Sequence, residues 1–184
     1  MYSKFTMAVT ITYFVHGTTL DNERNKATGW LPGELSPLGI NQSKHLGKLI
    51  TDKHFDVVFC SDLHRAVESA KLAFSSKKIP IIKDSRLREC DYGDLTGKPF
   101  NFNLKSYIEK PFPNGESYKD VERRIADFLK FLKKNYNNLN VAIMAHQAPQ
   151  LALEVLVNGK TWNQAIDEDW RHTKSWRPGW IYQY

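Results

Sequence analysis

The feature that most constrains this chain is a set of short apolar runs, most of which stop abruptly at a reactive residue. "MAVTITYFV" ends at His16-Gly17, and "FDVVFC" runs into Ser61-Asp62. "IPIIKD" leads into "SRLREC", and "NVAIMAH" is apolar until His146. Runs this short, rich in β-branched and aromatic residues, read as buried strands. Amphipathic stretches lie between them. "LSPLGINQSKHLGKLITDK" has Ser36 as a cap, Pro37 in the first turn, and Leu38, Leu46, Leu49 and Ile50 on one predicted face. "SDLHRAVESAKLAF" opens on cap-type residues, "APQLALEVLV" starts a further helix, and "SYKDVERRIADFLKFLKKNY" carries Val121, Ile125, Phe128, Leu129 and Leu132 as an apolar stripe. Strands alternating with helices predict an α/β fold with a mostly parallel sheet covered on both faces.

The totals suit one domain. The chain has 184 residues, 41% of them hydrophobic, with no internal repeat and no linker. Residues 1–184 are therefore read as one unit, with the Gly-, Pro- and Asn-rich stretch around 94–115 as a short inserted lid. Cys60 and Cys90 are too few for a disulfide framework and lack metal-ligand spacing, so a reducing cytosol is expected. The N-terminal run contains three threonines and no small-residue cleavage site, which favours a strand over a signal peptide, and no stretch approaches a membrane span. The net charge of +6 suits a solvated basic surface or a field for anionic substrates. Charge alone would allow nucleic acid, but no recognition motif supports it.

In an open parallel sheet, ligands bind beyond the carboxyl ends of the strands. His16, Arg65 and His146 all emerge at or just after such ends, and Glu89 follows the third strand. Two imidazoles, a guanidinium and a carboxylic acid form a working set for phosphoryl transfer. That chemistry needs an attacker, donors around the phosphoryl oxygens, and an acid for the leaving oxygen. The helix start after Asp62 is a candidate source of backbone donors.

The pieces "HGTTLDN", "GELSPLGINQ", "CSDLHRAVESA", "LRECDYGDLTG", "PNGES" and "IMAH", spread between residues 14 and 146, resemble the histidine phosphatase superfamily, the phosphoglycerate mutase-like branch, in the family's order. The resemblance implies a three-layer α/β/α sandwich and a phosphatase that needs no metal or other cofactor and acts on a small phosphomonoester. His16 would become phosphohistidine, and the Gly17 carbonyl would fix its tautomer. Asn22 and Arg65 would contact the phosphoryl oxygens, with His146 as a further donor. Glu89 would protonate the leaving oxygen, a role that calls for burial or neighbouring carboxylates. Glu116 in "PNGES" is the runner-up acid. The family's Arg-His-Gly begins here with Val15, and its final His-Gly is His146-Gln147. One lost donor costs about 3 kcal/mol in such a site, small beside enzymatic accelerations of phosphate monoester hydrolysis that reach roughly 10²¹. Activity is expected to survive, with Arg24 or Lys98 as replacements for the missing charge. The short lid favours hydrolysis over a mutase-type phosphotransferase. A phosphate-binding protein without turnover is the rival reading.

Several features stay outside that set. "NGKT" at 158–161 lacks the first glycine of a P-loop, since Glu154 stands there, and it follows a helix. A metal site from His16, His146 and Glu89 lacks supporting spacing. His45, His54 and His64 read as solvated, with His64 close enough to Arg65 to approach the site. The tail interleaves Trp170, Trp176 and Trp180 with Arg171, His172, Lys174 and Arg177. It is open to three readings: a stacking surface for a base or for RNA, a folded-back edge with Ile181-Tyr182 as a strand, or a homodimer contact.

Overall fold

Residues 8–173 and 178–184 are described by the structure, a computed structural model of the chain. The elements run β1 (Thr10–Val15), α1 (Leu20–Glu23), α2 (Pro37–Leu49), β2 (Val57–Cys60), α3 (His64–Ala73), β3 (Ile81–Lys83), α4 (Tyr118–Asn135), β4 (Asn140–Ala145), α5 (Gln147–Leu156), α6 (Trp162–Asp167), α7 (Trp170–Thr173) and β5 (Trp180–Gln183). They form one five-stranded sheet in the order β3-β2-β4-β1-β5. The first four strands are parallel, and β5 runs antiparallel to β1 along the edge.

The central strands β1, β2 and β4 are buried on both faces, which is why they read as continuous apolar runs, while the edge strands β3 and β5 are partly exposed. Ile11, Tyr13, Phe59, Val141 and Ile143 share a core with Val121, Ile125, Phe128 and Leu129 of α4 and Leu151 of α5. Alternate residues Phe14, Val58, Cys60, Ala142 and Met144 point to the other face, against Leu46, Ile50, Val67 and Ala70 of α2 and α3. The result is the three-layer α/β/α sandwich.

Helix placement fixes where a ligand can enter. The chain leaves β1 for α2 on one face and leaves the neighbouring β4 for α5 on the other. Adjacent parallel strands whose following helices diverge leave a crevice beyond their carboxyl ends. His16 and His146 are the first residues past those two strands, which are aligned so that Val15 pairs with Ala145.

Two local expectations need correction. Along α2, Leu46 and Ile50 are buried, but Leu38 and Leu49 are 52% and 43% exposed. The buried face instead runs through Gly39, Ser43 and Leu46. The cause is close backbone approach: a Cβ on Gly39 would lie 2.0 Å from the Thr18 carbonyl oxygen, and one on Gly17 would lie 2.3 Å from the Gly39 oxygen. Small residues face the sheet where α2 crosses the turn after His16, and the leucines are rotated outward. At α3 the cap is Leu63 with no side-chain bond, while the Ser61 hydroxyl accepts from the Leu63 amide before the helix starts.

The stretch 94–115 is held by aromatic packing. Phe102 lies 4.7 Å from Phe100 and 5.3 Å from both Tyr92 and Phe112, ring centre to ring centre, and Tyr107 stacks on Phe112 at 3.8 Å. In the tail, β5 buries Trp180 and Tyr182, and Trp180 stacks on Trp170 at 5.5 Å. The chain therefore folds back along the sheet edge. Lys174, Trp176 and Arg177 lie outside the described residues. Among the described residues, no helix is long and apolar enough to cross a membrane.

Candidate active site

The two histidines are placed by the sheet itself. The His16 amide donates to the Ala145 carbonyl at 3.1 Å, extending the ladder one residue past β1. The backbone of His146 is pinned by one buried hydroxyl: Tyr13 Oη donates to the His146 carbonyl at 2.7 Å and accepts from its amide at 3.0 Å. The two imidazole rings lie 5.0 Å apart, inclined at 60°.

The tautomer of His16 follows from its partner. Nδ1 lies 2.7 Å from the Gly17 carbonyl oxygen, which can only accept, so Nδ1 carries the proton and Nε2 presents a lone pair. Nε2 faces Arg65 Nε at 3.4 Å. Burial, and then the Arg65 charge, push the imidazole down from 6.5 to about 3. His146 is fully buried, and neither ring nitrogen has a partner among the described residues. Burial first, then Arg65 and His16, hold it well below the usual histidine range. A buried imidazole with both nitrogens unpaired is costly unless something else engages it.

Arg65 is held as firmly as the histidines. Nη2 donates to the Gly29 carbonyl at 2.8 Å, and Nη1 donates to Leu31 at 2.8 Å and Pro32 at 3.4 Å. The 29–33 loop wraps around the guanidinium because Gly29 and Gly33 take positive φ, +51° and +64°. Ser69, one turn along α3, donates to the Arg65 carbonyl and accepts from the Gly17 amide, tying the arginine's helix to the turn behind the nucleophile. The helix start after Asp62 is less available than expected. The Arg65 amide donates to the Pro32 carbonyl, and Asp62 is taken by a two-point pair with Arg88.

The buried Glu89 carboxyl group caps α5. Oε1 accepts from the amides of Cys90 and Ala148, both at 2.9 Å, and Oε2 accepts from Gln147 at 3.2 Å. Of the two surroundings expected for it, burial or neighbouring carboxylates, the structure supplies burial, and its hydrogen-bond partners are N–H donors. Asn22 closes a capping box on α1: its Oδ1 accepts from the Thr19 amide and its own backbone amide donates to the Thr19 hydroxyl, which leaves the side-chain Nδ2 for a ligand.

His16, Asn22, Arg65, Glu89 and His146 all line one cavity of about 860 Å³, together with Val15, Tyr92, residues 100–105, Trp170 and Arg171. That volume exceeds what a phosphoryl group needs and leaves room for the rest of a substrate. Four sequence candidates stand apart from the cavity wall. Glu116 is locked in a two-point pair with Arg124, 3.0 Å at each end, and accepts from the Asp91 amide. Arg24 ends α1 on the exposed surface, and Lys98 is likewise exposed. His64 is exposed, 3.8 Å from Glu68. Among the described residues, no group of three or more His, Cys, Asp or Glu side chains is placed to share a metal ion.

Sequence reasoning missed the residues that support these groups. Tyr13 and Ser69 read as strand and helix filler. Arg124, at the margin of the buried face of α4, donates to the carbonyls of Arg86, Arg88 and Glu89 and so shapes the loop carrying Glu89. Nothing in their spacing marks them, because each is distant in sequence from what it holds.

Fold and site together define an α/β protein able to present a neutral imidazole nitrogen, beside a guanidinium, to an anionic group bound at a sheet switch point. The chain belongs to the histidine phosphatase superfamily (branch 1), whose family model matches residues 13–176. It is 30% identical over 144 residues to the Bacillus subtilis protein called "Uncharacterized phosphatase PhoE", covering 78% of this chain and 75% of that one. It is 31% identical over 147 residues to a 2,3-bisphosphoglycerate-dependent phosphoglycerate mutase of Cytophaga hutchinsonii, covering 71% and 68%. Among solved structures, Bacillus stearothermophilus YhfR superposes with a TM-score of 0.77 at 23% identity, over 85% of this chain and 83% of that one, a likeness of fold.

Proposed function

We propose that the protein hydrolyses a small phosphomonoester through a phosphohistidine on His16. The observation that carries this reading is the fixed tautomer: Nδ1–H bonded to the Gly17 carbonyl, and the Nε2 lone pair 3.4 Å from the Arg65 guanidinium. The substrate's phosphoryl group sits among Arg65, Asn22 and His146. His16 Nε2 forms the N–P bond as the bond to the ester oxygen breaks. The positive charge arising on the imidazole is shared with the Gly17 carbonyl through Nδ1–H. Glu89 gives its proton to the departing alkoxide and becomes a carboxylate, a form matched by its three N–H donors. Water then attacks the phosphohistidine, Glu89 takes the water's proton, and inorganic phosphate leaves as His16 returns to its neutral form.

The wide cavity and the phosphatase among the relatives support hydrolysis, and the mutase relative defines the alternative outcome. The experiment uses an aryl phosphate with chelator present, comparing wild type with His16→Ala. Release of inorganic phosphate that resists chelator and disappears in the variant supports the reading. Denaturing quench at alkaline pH should trap a phosphoryl adduct on the peptide containing His16. Phosphate binding without turnover would overturn hydrolysis. Transfer to a second hydroxyl in preference to water would identify a phosphotransferase instead.

A further inference from the structure

We infer that Arg171 is a second phosphate-binding cation of this site, carried into the cavity by the C-terminal segment and anchored there by Asp169. The inference rests on the proposed function only in taking the bound anion to be phosphate.

Arg171, on α7, lines the same cavity as His16, Arg65 and His146. Val15, at the end of β1, also lines that cavity and offers it only methyl groups. The two edges of the Arg171 guanidinium are treated differently. Nη1 donates to Asp169 Oδ1 at 2.8 Å and to Gln150 Oε1 at 3.3 Å. Nε and Nη2 have no hydrogen-bond partner among the described residues, and the side chain is 26% exposed. One edge is tethered and the other is open, a geometry suited to two-point contact with phosphate oxygens.

The tether is built. The Asp169 side chain is 2% exposed, and its Oδ1 also accepts from the Arg171 amide at 3.1 Å. Its Oδ2 accepts from Gln147 Nε2 at 2.5 Å. Gln147 directly follows His146, and its own amide donates to Glu89. A continuous path therefore runs from Glu89 through Gln147 and Asp169 to Arg171, setting the guanidinium relative to the acid and the second histidine. The Trp170 ring supports its face at 4.6 Å. The charge is felt at the reacting groups, since Arg171 is among those lowering both His16 and His146, after burial and Arg65. A purely structural partner for Asp169 would need neither the open edge nor the cavity position.

The test measures equilibrium binding of inorganic phosphate by calorimetry, in parallel with turnover of an aryl phosphate. Arg171→Ala should weaken phosphate binding roughly 10- to 100-fold, the usual effect of losing hydrogen bonds from a charged donor. Arg171→Lys should recover only part of the loss. Millimolar guanidinium ion should restore affinity to the alanine variant while leaving wild type unchanged, a response that a structural ion pair would not give. Asp169 left buried without its cation could unfold the single variant, so Asp169→Asn/Arg171→Ala, which removes the pair as a unit, provides the control. Folded variants that bind phosphate as wild type does would overturn the inference, as would the absence of guanidinium rescue. If wild type binds phosphate without turning substrate over, the proposed function falls while the Arg171 effect on binding can still be read. If turnover depends on His16 but phosphate affinity ignores Arg171, this inference falls alone. No phosphate binding by wild type would overturn both.

Discussion

His16 should remain an unprotonated nucleophile far into acid. Its imidazole is lowered from 6.5 to about 3, by burial first and the Arg65 charge second. At pH 5 an unperturbed imidazole would be only about 3% free base, whereas one lowered this far is about 99% free base, a difference of roughly 30-fold in reactive nitrogen. The direct assay is ¹⁵N NMR of histidine-labelled protein, with His16 assigned by its absence in His16→Gln. The signals should stay those of the Nδ1–H neutral tautomer down to about pH 4, and Arg65→Gln should move the midpoint upward by removing the second contributor. The sign for stability follows. Below pH 6.5 the unfolded chain binds a proton that the folded imidazole refuses, so stability complete above 6.5 is lost as pH falls toward 3. Between 6.5 and 4 this amounts to at most about 3 kcal/mol, less in proportion as the partly exposed ring is reached by solvent. His16→Gln should flatten that part of the urea-denaturation profile. A His16 midpoint near 6.5 would refute the effect assigned to burial, and an Nε2–H tautomer would refute the Gly17 bond.

Three further outcomes test the supports of the site. Tyr13→Phe removes the hydroxyl that serves both the amide and the carbonyl of His146, so urea denaturation should show a loss of about 2–4 kcal/mol; an unchanged midpoint would mean that those groups find other partners. Arg124→Met leaves the half-buried Glu116 carboxylate without its partner and frees three carbonyls of the loop carrying Glu89, so it should cost about 2–4 kcal/mol; Glu116→Gln, by contrast, should keep the leaving-group dependence of turnover, since Glu116 lies off the cavity wall. Glu89→Gln should lower kcat for alkyl phosphates far more than for nitrophenyl phosphate, whose leaving group needs no proton; equal losses on both would argue against an acid at Glu89.

The fold was legible because the central strands of the sheet are buried on both faces. The four parallel strands stand out as apolar runs, and α4 carries the expected stripe, with Val121, Ile125, Phe128, Leu129 and Leu132 all buried. The miss on α2 has a definite origin. Apolar periodicity locates a buried face only where large side chains make the contact. Against the turn at Gly17 and Thr18 the contact is backbone to backbone, and glycine and serine occupy it while Leu38 and Leu49 turn outward. A pattern of small residues at the same spacing would have been the better guide.

The site shows the same division. Residues at strand ends were legible, since a reactive side chain closing an apolar run is informative by itself and parallel register carries His16 and His146 to neighbouring positions. What orients them was not, because it works through bonds between distant segments: Tyr13 under His146, Ser69 behind Gly17, Asp169 beside Gln147. The search for a cation to complement Val15 illustrates the point. Arg24 and Lys98 were the nearer choices in the sequence, yet Arg24 ends a four-residue helix on the surface and Lys98 is exposed. Arg171 lies on the cavity wall, as do Lys26 and Lys105, and it is delivered from more than 150 positions away because β5 folds back beside β1 and Trp170 stacks on Trp180. Distance along the chain says little about which charge can reach a site at a sheet switch point. The strand order decides it, and here the antiparallel edge strand brings the C-terminal segment to β1.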